Sequence, residues 1–72
     1  MESQTTSIQK IEVDELERIY FYPDGSKYPP EGAIVLATEV DVRSSGNHRV
    51  MCKDGTKHIV HTGWNGIQIK TK

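Results

Sequence analysis

Apolar and polar residues alternate in short bursts along most of the chain, which is the two-residue period of half-buried strands. Arg18–Tyr22 is rich in β-branched and aromatic side chains and stops at Pro23-Asp24-Gly25, a turn signature. Ala33–Arg43 opens as a continuous apolar run and then alternates, with Val40 and Val42 against Glu39, Asp41 and Arg43. That change predicts a long, sharply bent strand, buried on both faces at its start and on one at its end. His48–Lys53 and Thr56–Thr62 flank Asp54-Gly55, the strongest hairpin signal in the chain. Ile67–Lys70 reads as a short last strand. Residues 23–32 hold all three prolines and read as a long ordered loop, and residues 44–47 as a short one. Gly63-Trp64-Asn65-Gly66 is too short for an α-helix and suits one 3₁₀ turn.

The segment before Ile19 supports two readings. Ile8, Ile11, Leu16 and Ile19 fit a helical stripe, and Asp14 with Glu17 would cap a helical turn over Glu15–Arg18. Val13 lies off that stripe, and a strand at Ile11–Val13 followed by a turn fits as well. Residues 1–7 contain no periodic apolar position and are expected to form a disordered tail, leaving residues 8–72 as a single small β-barrel domain.

The order of elements over residues 18–70 is strand, Pro-containing loop, long bent strand, short loop, tight hairpin, one-turn helix and short strand. It resembles the SH3-like small barrel, a layout shared by SH3, Tudor, KOW and Sm-type domains. The resemblance implies an all-β fold: a five-stranded, partly open SH3-like barrel with a short N-terminal helical or extended arm and a 3₁₀ turn before the last strand. Tyr20-Phe21-Tyr22 stands near the first aromatic strand of peptide-binding SH3 domains. The paired tryptophans expected beside the second loop are missing, and no Sm signature is evident. What carries over is a layout, not an activity.

Composition narrows the function. A chain of 72 residues and 8.1 kDa, 35% hydrophobic and 26% charged, builds a thin core. A deep substrate cleft is hard to support at this size, and self-association into a homo-oligomer is expected. The formal charge of −1 conceals two halves of opposite sign. Residues 1–42 carry nine acids against Lys10, Arg18 and Lys27; residues 43–72 carry six bases against Asp54 alone, and all three histidines. Cys52 is the single cysteine, so no intramolecular disulfide forms and a reducing compartment is the simpler expectation. The polar start MESQTTS has no signal-peptide character, and no apolar run approaches the ~20 residues of a membrane span. A cytoplasmic protein without a membrane partner follows as the expectation.

Cys52, His48, His58 and His61 are metal-ligand types. With a two-residue turn at Asp54-Gly55, Met51 opposes His58 and His48 opposes His61, so at most two ligands meet; a Gly55 bulge slips the register and loses even that pair. No metal and no cofactor are expected. No Ser or Cys has a base and an orienting acid placed for a triad, and no glycine-rich loop leads into a helix, so no catalytic residues and no enzyme are expected. The basic hairpin is more specific. Arg43, Arg49, Lys53, Lys57 and His58 could follow a phosphate backbone, with Tyr20, Tyr22 and Tyr28 supplying stacking faces. Trp64 reads first as a barrel plug and second as a partner anchor. The first functional expectation is therefore a small regulatory module whose hairpin contacts nucleic acid. The alternative is a protein-interaction module, such as a stand-alone inhibitor or assembly factor, using its acidic arm, Tyr20, Tyr22, Tyr28, Trp64 and an exposed strand edge.

Overall fold

The computed structural model describes residues 7–72, and every regular element in it is a strand: β1 (Ser7–Phe21), β2 (Lys27–Tyr28), β3 (Ile34–Arg43), β4 (His48–Cys52), β5 (Lys57–Val60) and β6 (Gly66–Thr71). Of the tail expected at residues 1–7, residues 1–6 lie outside the described residues, and Ser7 belongs to β1. All pairings are antiparallel, in the order β2-β1-β3-β4-β5, with β6 on the other side of β1. The chain is thus all-β, a six-stranded antiparallel sheet that does not close: among the described residues β5 pairs only β4, and β6 only β1.

The helical reading of the arm is overturned. Residues 8–18 are extended because β3 pairs along them, from Ser7 opposite Arg43 to Arg18 opposite Ile34, with register shifts after Ser7 and after Glu12. Local spacing loses to long-range pairing, helped by β-branched Ile11 and Val13. The 3₁₀ turn before the last strand is absent too. Gly63 has φ +115°, incompatible with a helical turn, and the Asn65 amide donates to the Phe21 carbonyl at 2.9 Å, laying this segment against β1. A sixth strand appears inside the proline-rich loop, where Lys27 and Tyr28 pair with Phe21 and Tyr20.

Three connections use one turn. At Tyr22, Arg43 and Cys52 the amide donates to the carbonyl four residues on, and the amide three residues on donates back, all at 2.9–3.1 Å. The fourth residue is glycine each time, Gly25, Gly46 and Gly55, with φ of 91°, 92° and 93°. This is a tight turn closed by a glycine bulge, whose positive φ costs glycine little. Asp24 and Asp54 brace two of the turns by accepting from the Ser26 and Thr56 amides.

β3 is irregular between Leu36 and Glu39, and its start is not buried on both faces. Ile34 and Ala37 face inward while Val35 and Leu36 are exposed, because Leu36 takes φ +53° and breaks the alternation. A register shift between Glu12 and Glu15 of β1 accompanies it. The core is small: Tyr20, Ile34, Ala37, Val40, Val50, Cys52 and Val60, with Val13, Tyr22, Tyr28 and Trp64 packed against it.

Candidate functional site

Of the residues expected to meet phosphate, Arg43 ends β3, and the β4–β5 hairpin carries Arg49, Lys53, Lys57 and His58. Its register pairs His48 with Val60, Arg49 with Ile59, Val50 with His58 and Met51 with Lys57. That is the glycine-bulge alternative, so His48 and His61 do not face one another. Among the described residues no three His, Cys, Asp or Glu side chains could hold a metal ion.

Arg43 and Arg49 are engaged by Asp41. Their guanidinium groups donate to Asp41 Oδ2 at 2.9 and 3.1 Å, and Ser7 Oγ donates to Oδ1. Asp41 is 2% exposed. Burial alone would raise its pKa, but the bonds from Ser7, Arg43 and Arg49 outweigh it and hold the carboxyl down at about 2. Lys53 and Lys57 remain exposed beside the turn, with no acidic partner among the described residues. His58 turns to the inner face, where its Nδ1 lies 3.1 Å from the Tyr28 hydroxyl.

The aromatic residues build an interior rather than a set of platforms. Tyr20 is fully buried, so its ring is closed to a base or a partner. Its hydroxyl accepts from Arg18 Nε at 2.9 Å and lies 2.8 Å from His48 Nδ1. Arg18 has no acceptor, so the hydroxyl proton is left for His48, which is satisfied as the neutral ring protonated on Nε2. Burial, and then the charge of Arg18, lower the His48 pKa. Trp64 packs edge-on against Tyr20 and His48, with ring centroids 5.0 and 4.6 Å apart. Tyr22 is half-buried and donates to the His61 carbonyl.

Sequence reasoning missed two buried charges here. Glu15 and Arg18 form a 2.7 Å ion pair inside the fold, and Glu15 Oε1 is buried with no hydrogen-bond partner among the described residues. A helical turn over Glu15–Arg18, capped by Asp14 and Glu17, is one sequence reading of this segment; the register shift in β1 is what puts both charges on the inner face.

No family model, no curated protein and no solved structure matches the chain. Its surface therefore has to speak for itself. Two shallow depressions of about 240 and 220 Å³ are present, the first lined in part by Cys52 and His58, the second by Leu36 and Lys53. Both fall below the ~300–1,000 Å³ usual for small-molecule sites. Burial raises the Cys52 pKa, with the nearby Asp54 charge adding to it, which keeps the thiol protonated.

The β6 side is different. Ile67 pairs with Tyr20 and Ile69 with Arg18, so both isoleucines share the face on which Tyr20 and Arg18 are buried. They are nevertheless 38% and 46% exposed. The inner face of the sheet runs out to an end strand that the fold leaves uncovered, and the outer backbone edge of β6 has no neighbouring strand among the described residues.

Proposed function

We propose that the chain is a non-catalytic protein-binding module of SH3-like layout that takes up an extended, apolar segment of a partner along β6. The strand path β6-β1-β3-β4-β5, with its Pro-containing connection and tight hairpins, supports the layout. One observation carries the binding reading: Ile67 and Ile69 lie on the core-facing side of an end strand and are open to water. A partner strand added to β6 would satisfy its free backbone groups and cover both isoleucines, the usual physics of strand addition. Tyr28 closes the same cross-strand row, Ile67–Tyr20–Tyr28, at its far end.

A second reading has an observation of its own. Lys53 in the turn and Lys57 at the start of β5 are exposed and have no acidic partner among the described residues, which suits a phosphate backbone. Because Asp41 holds Arg43 and Arg49, this contact would rest on two lysines.

Photo-crosslinkers placed at positions 67 and 53 separate the readings. Protein binding predicts defined, nuclease-resistant adducts from position 67, lost with Ile67→Lys/Ile69→Lys. Nuclease-sensitive adducts from position 53, with single-stranded RNA or DNA binding that weakens steeply between ~50 and ~200 mM salt, would instead establish the second reading.

A further inference from the structure

The N-terminal half of β1 offers an interaction surface separate from β6. From Ser7 to Glu12 it pairs with β3 on one side, while β6 reaches the other side only from Glu15 onward. Over residues 7–14 the far edge of β1 meets no strand among the described residues, and Ile8 and Ile11 on it are 66% and 41% exposed. A long edge of this kind is a template for another strand, and Lys10 is its single basic guard.

We propose that this edge pairs with the same edge of a second copy, antiparallel about a two-fold axis at Ile11. In that register Lys10 of one copy opposes Glu12 of the other, twice by symmetry, and Gln9 opposes Val13. The charges single this register out. Glu12 sits directly across β1–β3 from Glu39, and neither carboxylate has an ion-pair partner among the described residues. Like charges facing across a ladder are unfavourable, and a lysine from the second copy beside Glu12 relieves them. Moving the axis to residue 10 or 12 sets Lys10 against Lys10 or Glu12 against Glu12.

The apolar face agrees. Ile11, Val40, Val50 and His58 form one cross-strand row, and the second copy continues it from Ile11 outward. An axis perpendicular to the sheet keeps both inner faces on the same side, so Ile11 meets Ile11 and its exposure ends. The occupant is thus a second copy of the chain, and the result is one continuous sheet through both.

Sedimentation velocity of the full chain over about 1–500 µM tests the pairing, with a mass of twice 8.1 kDa expected at the upper end. Lys10→Glu and Glu12→Lys should each raise the dissociation constant about tenfold or more, and the double exchange should restore it to within about threefold. Circular dichroism confirms folding, since Lys10 lies opposite buried Asp41. Glu12→Lys faces Glu39 instead and serves as the variant least able to unfold the chain. Amides of residues 8–14 should gain exchange protection with concentration. A monomer at the highest concentration, or a dimer indifferent to the single reversals, would overturn the proposal. Ile67→Lys/Ile69→Lys leaves this dimer intact, so partner binding and self-pairing fail or survive separately.

Discussion

Removing Asp41 is the most direct test of how this sheet tolerates charge. The side chain is 2% exposed and accepts three hydrogen bonds, from Ser7, Arg43 and Arg49. Breaking a fully buried pair costs about 3–5 kcal/mol and an exposed one about 0–1. The Arg43 side chain is 11% exposed and that of Arg49 30%, which places Asp41→Ala between those limits, at about 2–3 kcal/mol. For a domain of this size that lowers Tm by about 10–20 °C. The isosteric Asp41→Asn gives the sharper measurement, because its effect depends on pH. The folded carboxyl has a pKa of about 2 against 3.8 in the unfolded chain. A depressed acid contributes stability that is present above the unfolded value and lost as pH falls through the folded one. The difference between wild type and Asp41→Asn should therefore be full above pH ~4 and shrink toward zero by pH ~2. Its size is about 2 kcal/mol at most, less where water screens Arg49. Urea melts at pH 7, 4, 3 and about 2 read this directly. A difference that stays constant across that range, or an Asp41→Ala cost below about 0.5 kcal/mol at pH 7, would show that the three contacts do not hold the charge as described.

His48 makes the stability of the fold depend on pH. Its folded pKa lies below 6.5, so it supports the fold above about pH 6.5 and withdraws that support as pH falls; His48→Gln should flatten the loss in thermal melts between pH 7 and 5. Tyr20→Phe leaves Arg18 Nε and His48 Nδ1 without their shared partner and should cost about 1.5–3 kcal/mol, with a shift in Trp64 fluorescence, because the indole packs on Tyr20 and His48. Gly55→Ala should cost about 1 kcal/mol for its positive φ alone. Gly46→Ala should cost more, since the added Cβ would meet Thr62 Oγ1 at 3.2 Å, whereas nothing lies within 4 Å at Gly55; equal losses in urea melts would refute the distinction.

The strands β3 to β6 were legible because their signals are local. Glycine at three turn positions and alternation in Val40–Arg43 and His48–Cys52 announce themselves within a few residues. The arm was not legible in this way. Its isoleucine spacing serves a helix and a strand equally, and the ladder to β3, some thirty residues away, decides. β2 is too short to show a period and exists because Tyr20 and Phe21 supply its partner. Leu36 gives no warning of its left-handed backbone, since leucine has no preference for it; paired irregularities in β1 and β3 impose the conformation. The candidate site was half legible. Lys53 and Lys57 could be placed on an exposed turn from sequence, but the capture of Arg43 and Arg49 by Asp41 could not. It depends on strand pairing that brings Asp41 opposite Arg49.

The hairpin register shows how one glycine sorts the chemistry of both faces. A two-residue turn at Asp54-Gly55 would place Lys57 opposite Cys52, on the buried side, and move His58 outward. The bulge at Gly55 shifts pairing by one residue, so that Lys57 opposes Met51 and His58 opposes Val50. Either register buries one β-branched residue of β5, Ile59 or Val60, and hydrophobic burial hardly distinguishes them. The polar residues do. A lysine in this core would have to shed its hydration or its proton, at a cost of several kcal/mol. A histidine there finds the Tyr28 hydroxyl. The same choice leaves Lys57 exposed opposite Met51, and delivers Val60 to the core opposite His48. Any phosphate-binding capacity of the hairpin is thus a consequence of the inner face refusing a cation, and it would arise whether or not a nucleic acid ever used it. The exposure of Ile67 and Ile69 has no such internal cause: burying them would stabilise the fold, and nothing in the core is spared by leaving them open. An exposed feature that folding does not require is the better mark of a binding surface, and that difference puts β6 ahead of the hairpin.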